Sequence, residues 1–329
     1  MKLKDFIVRA CKRPQKTVFN IVDSPAIVLL YHSVAKHEND PRLLSVRPEN
    51  FASHLEYLRK TCYLIPVEEF VFLKKHRKKF PRRSVLITFD DGYANNFREA
   101  LPVLESLGAQ AIFFISTSTI DSRREFWWDD LERIFLTGHN LPKKLTLRAN
   151  GKELLLRTAS TDDRMGAYER VRYIMRHSTA ERQEETIHAL LKWAGIEPDG
   201  RDDHLCMTSD EIRKLSASES SVIGAHGHTH TQLSLYNPAE QLKEISKSKD
   251  ILTAITGKEV KLFSYPFGGK GDYDGTTIRI CRELGFDTAY ANFHCPVHRW
   301  TDRFQVPRIL VRDWDINTFS SNLDLFFRC

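Results

Sequence analysis

Two short stretches carry the residue types best suited to chemistry. In "VIGAHGHTHTQLS" (222–234), three histidines, His226, His228 and His230, stand at alternate positions. In "LITFDDGY" (86–93), an apolar run ends in two adjacent carboxylates, Asp90 and Asp91. Adjacent carboxylates repel one another unless a cation is near. A divalent metal would supply that charge, bound by one aspartate while the other stays free to accept a proton. The plainer reading of Asp-Asp-Gly is a turn in which one carboxylate caps the next helix. An i, i+4 histidine pair can share a metal if a helical turn follows the strand. An i, i+2 pair can do so if the strand continues, because alternate residues share a face. His226 with His230 and His226 with His228 are therefore both open on spacing. Two histidines and one aspartate with a position left over make a catalytic zinc-type site rather than a closed structural one.

Residues so far apart must be positioned by a common scaffold. "AIVLLYHS" (26–33), "SVLITFDD" (84–91), "AQAIFFIST" (109–117), "SVIGAH" (221–226), "VKLFSYPFG" (260–268) and "DTAYANF" (287–293) read as buried strands. Between them, 48–61, the run from Asn95 to Gly108, "TSDEIRKLSAS", 238–257 and "DGTTIRICRELGF" read as helices. Strands alternating with helices indicate a parallel sheet or barrel. Chemistry on such folds gathers at the carboxyl ends of the strands, where this chain has "YHS", "TFDDGY", "GAHGHTH" and "SYPFGG". Residues 118–206 break the rhythm and read as a largely helical insertion. It contains a hairpin turning at Asn150-Gly151 and two amphipathic helices.

The chain has 329 residues, 41% hydrophobic and 28% charged, with net charge +6. That is globular composition, and the charge is too diffuse to imply nucleic acid. No apolar run approaches the roughly 18 residues of a membrane span. The six cysteines stand singly, so neither a zinc knuckle nor a disulfide framework is indicated. With no secretory signal in "MKLKDFIVRACKRPQK", a cytoplasmic location is expected. Residues 1–24 form a basic segment in which Leu3, Phe6, Ile7 and Ala10 share a helical face. This segment and "KKHRKKFPRR" (74–83) read first as solvated surface; peripheral contact with an anionic membrane or a phosphorylated carrier is the sharper expectation.

Together the two stretches resemble the polysaccharide deacetylases, metal-dependent esterases that remove N-acetyl groups from chitin-like, peptidoglycan and exopolysaccharide sugars. The family's Thr-Phe-Asp-Asp-Gly motif stands intact as Thr88 to Gly92, and His226 to His230 fits its His-[Ser/Thr]-x-x-His motif at both histidines, with Leu233 in register. The resemblance covers roughly 25–117 and 207–312 and implies an α/β fold, a distorted (β/α) barrel, in one domain from 25 to 329. It makes Asp91, His226 and His230 the metal ligands, with zinc, cobalt, nickel or manganese as the ion, and Asp90 the general base. His228 falls on a variable position and becomes a rim residue.

Three departures stand out. Gly227 replaces the usual Ser/Thr, so that hydroxyl's brace is missing. "SYPFGG" keeps Pro266 and Phe267 of the third motif but lacks its arginine, and Arg308 in "FQVPRILV" is the candidate replacement for orienting the base. The C-terminal catalytic histidine is absent. Circularly permuted exopolysaccharide deacetylases carry it on the first strand as Tyr-His, here Tyr31-His32, so the resemblance assigns the general acid to His32. A backbone N–H near Tyr93 would help hold an oxyanion. Tyr265, Phe267, Trp127, Trp128 and Trp314 are candidate walls for a sugar. The implied substrate is an N-acetylated glycan or lipid-linked amino sugar. The rival readings are an amidohydrolase-type metallohydrolase, using His226 and His228, and a non-catalytic glycan-binding protein.

Overall fold

The computed structural model describes residues 23–138, 140–149 and 152–328. The amphipathic face of the first 22 residues and the Asn150-Gly151 turn lie outside the described residues. In chain order the strands are β1 (Ile27–Tyr31), β2 (Ser33–Val34), β3 (Ser45–Val46), β4 (Tyr63–Leu64), β5 (Ser84–Phe89), β6 (Ala111–Ile115), β7 (Lys144–Ala149), β8 (Lys152–Arg157), β9 (Ser221–Ala225), β10 (Leu262–Ser264), β11 (Thr288–Tyr290) and β12 (Ile309–Leu310). The α-helices are α1 (Pro48–Thr61), α2 (Val67–Lys75), α3 (Leu101–Leu107), α4 (Trp127–Leu136), α5 (Thr161–Arg176), α6 (Ala180–Ala194), α7 (Ser209–Ala217), α8 (Pro238–Thr256), α9 (Gly275–Glu283) and α10 (Ile316–Arg328).

The main sheet is parallel, in the order β11-β10-β9-β6-β5-β1-β12, with β4 pairing beside β5. Val306 bridges Tyr290 of β11, through Val306 N–H to Ala289 O (2.9 Å) and Ala291 N–H to Val306 O (2.8 Å). Three residues later Ile309 and Leu310 pair with Leu29 and Leu30 of β1. One short stretch, 306–310, thus joins both ends of the sheet and closes it into a barrel.

Side chains alternate along each strand, and both faces are buried. Ile27, Leu29, Tyr31, Ile87, Phe89 and Phe113 pack outward with Leu55, Leu58 and Leu104 of the helices. Val28, Leu86, Ile112 and Phe114 pack inward with Phe70 of α2. This two-sided burial is why the strands read as continuous apolar runs rather than alternating ones.

The helix expected from Asn95 to Gly108 is two pieces. Pro102 has no N–H to give the Arg98 carbonyl, and Leu101 N–H reaches Asn96 O instead, so Asn96–Ala100 is a π-turn leading into α3. Gly108, at φ 60°, ends it.

Helices α2, α4 and α10 were not foreseen. In α4, Asp130, Glu132 and Arg133 are buried beside Leu131, Ile134 and Phe135. The charged groups are satisfied internally, by Arg133 to Asp130 (2.7 Å) and Arg201 to Glu132 (2.7 Å). A polar-looking run therefore hides a buried helix. In the basic run 74–83, Lys75 to Lys79 and Arg82 are exposed, as the solvated reading expects, and Lys74 is the exception. Lys74 ends α2 inside the protein, donating to the carbonyls of Thr301 (2.6 Å) and His298 (2.8 Å), and burial pulls its pKa down to about 8.

Between β6 and β9, α4, the β7–β8 hairpin, α5 and α6 pack a core of their own around Leu131, Phe135, Leu147, Tyr168, Val171 and Leu190. Among the described residues no helix is long and apolar enough to cross a membrane.

Candidate active site

The carboxyl ends of β1, β5, β9 and β10 converge on one cleft of about 430 Å³. His32, Asp90, Asp91, His226 and His230 all line it. The turn after β5 is built for this. Asp91 is left-handed at φ 73° and Gly92 follows at φ 90°, where a Cβ would lie 2.8 Å from Ile115 Cγ2. Only glycine fits there, and the reversal it permits presents both aspartates to the cleft.

Asp90 is clamped by Arg308. The guanidinium is fully buried and donates through Nη1 to Asp90 Oδ1 and through Nη2 to Oδ2, both at 2.6 Å. Nη2 also donates to Ser264 Oγ (2.7 Å), which in turn donates to Asp90 Oδ2 (3.3 Å). Burial alone would raise the Asp90 carboxyl, but the Arg308 charge, helped by His226, holds it below the ordinary carboxylate range. The arginine missing from "SYPFGG" is thereby supplied from the barrel-closing stretch. Ser264, inside that same motif, escaped notice as a contact of both partners.

Asp91, His226 and His230 form a second group. Asp91 Oδ1 lies 3.5 Å from His226 Nε2 and 3.2 Å from His230 Nε2, and three donor atoms lie within 4.8 Å of one another. All three residues are buried, and Asp91 Oδ1 has no hydrogen-bond partner among the described residues. His226 Nδ1 donates to Ser264 O (2.8 Å), which leaves Nε2 as the lone-pair nitrogen facing the carboxylate. An orphaned buried carboxylate oxygen facing two imidazole nitrogens is a donor set that fits a divalent metal.

The loop that carries these histidines is braced without a hydroxyl at 227. Gly227 sits at φ 74°, and a Cβ there would lie 3.2 Å from Pro266 Cγ. Glu244 of α8 does the bracing, accepting from Thr229 N–H and Thr229 Oγ1, both at 2.9 Å. His228 points away from the metal group, with Nδ1 2.8 Å from Thr117 Oγ1. Of the two pairings that spacing left open, the fold brings together His226 with His230.

His32 faces the same cleft, its Nδ1 without a partner among the described residues. Burial lowers its pKa, while Asp91 and Asp90 pull it back upward. Trp128 and Phe267 wall the cleft, each ring 4.7 Å from the His230 ring, and Trp127 lines it beside them.

Other aromatics expected near the substrate lie elsewhere. Tyr265 is fully buried, stacked 3.9 Å from Tyr273 and donating to Phe304 O. Pro266 is buried under Gly227. Trp314 packs against the core behind α1, where its carbonyl accepts from His54. The Tyr93 ring is buried, its hydroxyl donating to Asp129 (2.7 Å). The hydrogen bonds flanking Tyr93 run through Ala94 N–H and Met207 N–H, so neither occupies the Tyr93 amide.

The residues that reading the chain missed are at the cleft mouth: Arg42, Arg172, Arg176, Asp272, Asn292 and Arg312. Arg172 and Arg176 stand four apart on a helix that was foreseen, so a shared face was readable. The other four come from loops that only the fold brings together.

The family model described as polysaccharide deacetylase matches residues 77–144 and 163–289. The Bacillus subtilis protein YxkH, named among polysaccharide deacetylases, is 30% identical over 109 residues, 32% of this chain and 37% of that protein. The match therefore spans little more than a third of this relative. A poly-beta-1,6-N-acetyl-D-glucosamine N-deacetylase of Staphylococcus aureus is 22% identical over 304 residues, 88% of this chain and 80% of that one. The folds of Streptococcus pyogenes deacetylase PplD (TM-score 0.60, 15% identity, 92% of this chain and 99% of that one) and of IcaB from Ammonifex degensii (TM-score 0.58, 18% identity, 92% and 97%) are similar. With the family model matched over more than half its length, the chain belongs to the polysaccharide deacetylase family.

Proposed function

We propose that the chain hydrolyses the N-acetyl group of an amino sugar in a glycan or glycan precursor, releasing acetate and a free amine. The observation that carries this is the pairing of two differently held carboxylates. Asp90 is fixed by Arg308, and Asp91 faces His226 and His230, all on the floor of one cleft.

Asp91, His226 and His230 would hold a divalent metal, zinc being the ion their donor set suits best. When bound it would polarise the acetyl carbonyl and acidify water. Asp90 accepts the proton of the attacking water; its bidentate partner keeps it ionised and aimed. The Tyr93 amide is the candidate donor to the developing oxyanion. His32 donates to the departing nitrogen; burial lowers its pKa, and the two carboxylates oppose that only in part. Trp127, Trp128 and Phe267 provide apolar faces for the sugar ring.

Acetate release from N-acetylated oligosaccharides, with and without chelator, tests the reading. Activity that survives chelation and metal stripping would remove the metal from it. Glycan binding without acetate release would favour the non-catalytic alternative.

A further inference from the structure

Four arginines converge on the mouth of the cleft from three separate parts of the chain. Arg172 and Arg176 lie one turn apart on α5, Arg42 lies in the loop between β2 and β3, and Arg312 follows β12. Two of the four are neutralised. Arg176 Nη2 contacts both oxygens of the buried Asp272, at 2.8 and 3.0 Å, and Arg172 pairs with Glu169 at 2.7 Å. The other two are not: among the described residues neither Arg42 nor Arg312 has a carboxylate within ion-pair distance. Arg312 Nη1 donates instead to the carbonyls of Arg42 and Leu43, which holds the Arg42 loop against the cleft. Each of these two guanidiniums is disfavoured by partial burial and by like charge nearby, Arg172 and Arg176 beside Arg42, and Arg42 beside Arg312, which Glu169 near Arg42 and Asp40 near Arg312 offset only in part. Repelling cations held together over a cavity cost stability unless an anion joins them.

We propose that this mouth is a subsite for a phosphoryl group carried by the amino-sugar substrate, so that the N-acetyl group reaches Asp90 while a phosphate or diphosphate is gripped by Arg42 and Arg312. Guanidinium forks match phosphate oxygens in pairs. Two guanidiniums without an ion-pair partner match a phosphate monoester or diphosphate better than the single charge of a sugar carboxylate. The Arg176 guanidinium carbon lies over the Phe267 ring, 4.3 Å from its centroid, so the apolar wall and the cationic mouth adjoin. One substrate can then bridge both. The inference rests on the proposed deacetylation for the sugar's placement, but the anion grip can be measured without turnover.

The test uses the full chain loaded with zinc. Binding of N-acetylglucosamine 1-phosphate, of N-acetylglucosamine and of an N-acetylated oligosaccharide bearing a uronic acid is measured by calorimetry at two salt concentrations. The same is done with Arg42→Gln and the Arg42→Gln/Arg312→Gln double variant. The expected result is tighter binding of the phosphate by about 10-fold or more over the neutral sugar, weakening with salt and lost in the variants. Equal affinity for the phosphorylated and neutral sugars overturns the proposal. So does preference for the uronate, or a phosphate affinity that the double variant keeps, which would place the anion on the metal.

Acetate release is then compared for a nucleotide-linked and a prenyl-diphosphate-linked N-acetylglucosamine. Preference for either over a neutral oligosaccharide supports the subsite and names its source; preference for the neutral oligosaccharide counts against it. Phosphate binding without acetate release from any substrate would refute the deacetylase reading alone. Acetate release from neutral glycans with no phosphate preference would refute the subsite alone.

Discussion

Replacing Arg308 by methionine is the sharpest single perturbation of the site. The side chain is fully buried, and its guanidinium holds both oxygens of Asp90 at 2.6 Å. Methionine keeps much of the volume and removes the charge. Breaking a buried pair by deleting one partner leaves an uncompensated charge and costs about 3–5 kcal/mol. Part of that cost is avoided if Asp90 takes up a proton. Burial already pushes the Asp90 carboxyl upward, and Arg308 is the largest force holding it down. Losing an adjacent cation raises a carboxyl by about 1–3 pKa units. The acid limb of kcat/KM should therefore move toward higher pH, and activity at pH 7 should fall. Arg308→Lys keeps the charge but not the fork, so its acid limb should move less than that of methionine while kcat still drops. Acetate release measured from pH 5 to 9, with circular dichroism to confirm folding, reads both. A folded Arg308→Met protein whose acid limb matches the parent would refute the claim that Arg308 keeps the base ionised. Should the methionine variant fail to fold, the lysine variant still discriminates: unchanged kcat would show that the bidentate geometry is idle.

Three further outcomes are expected. Metal content after dialysis should fall at least 10-fold in His230→Ala and stay near that of the parent in His228→Ala, because of these two histidines His230 faces Asp91 and His228 turns to Thr117. Glu244→Ala should weaken metal affinity by about 10-fold while leaving the far-UV spectrum intact, since Glu244 braces the histidine loop from outside the ligand set; competition with a chromogenic chelator measures it. His54 should make the fold acid-sensitive. Burial lowers its pKa from 6.5 to about 4, so below pH 6.5 the unfolded chain binds a proton that the folded one refuses. Stability is thus complete above pH 6.5 and declines as the pH falls toward 4, by about 3 kcal/mol. Melting temperature against pH should flatten across that window in His54→Gln.

Much of the machinery was legible because it sits where strands end. Asp90, Asp91, His226 and His32 each close a buried apolar run, and such runs are conspicuous when both sheet faces are covered. Arg308 could be proposed because a base needs an orienting cation and the third motif lacked one. The aromatic residues were harder. Trp127 and Trp128 line the cleft, whereas Tyr265 and Trp314 pack away from it, and a ring has no local mark of the side it will face. Ser264 was overlooked because its importance lies in what it touches, a histidine from β9 and a carboxylate from β5. The arginine mouth was invisible for the same reason. Arg42 and Arg312 are separated by most of the chain, and only the paired carbonyl contacts bring them together.

The stretch 306–310 is the last part of the barrel to leave the ribosome, and it carries Arg308, the partner of Asp90. During synthesis the aspartates, the histidine loop and the cleft walls all precede it. Until this seam is sewn, Asp90 lacks the guanidinium that holds both of its oxygens. If Asp90 is the base proposed above, proton abstraction would be withheld from every partly made chain until the wall is complete. Truncation just upstream of Val306 should consequently erase hydrolysis even if the metal-binding residues assemble.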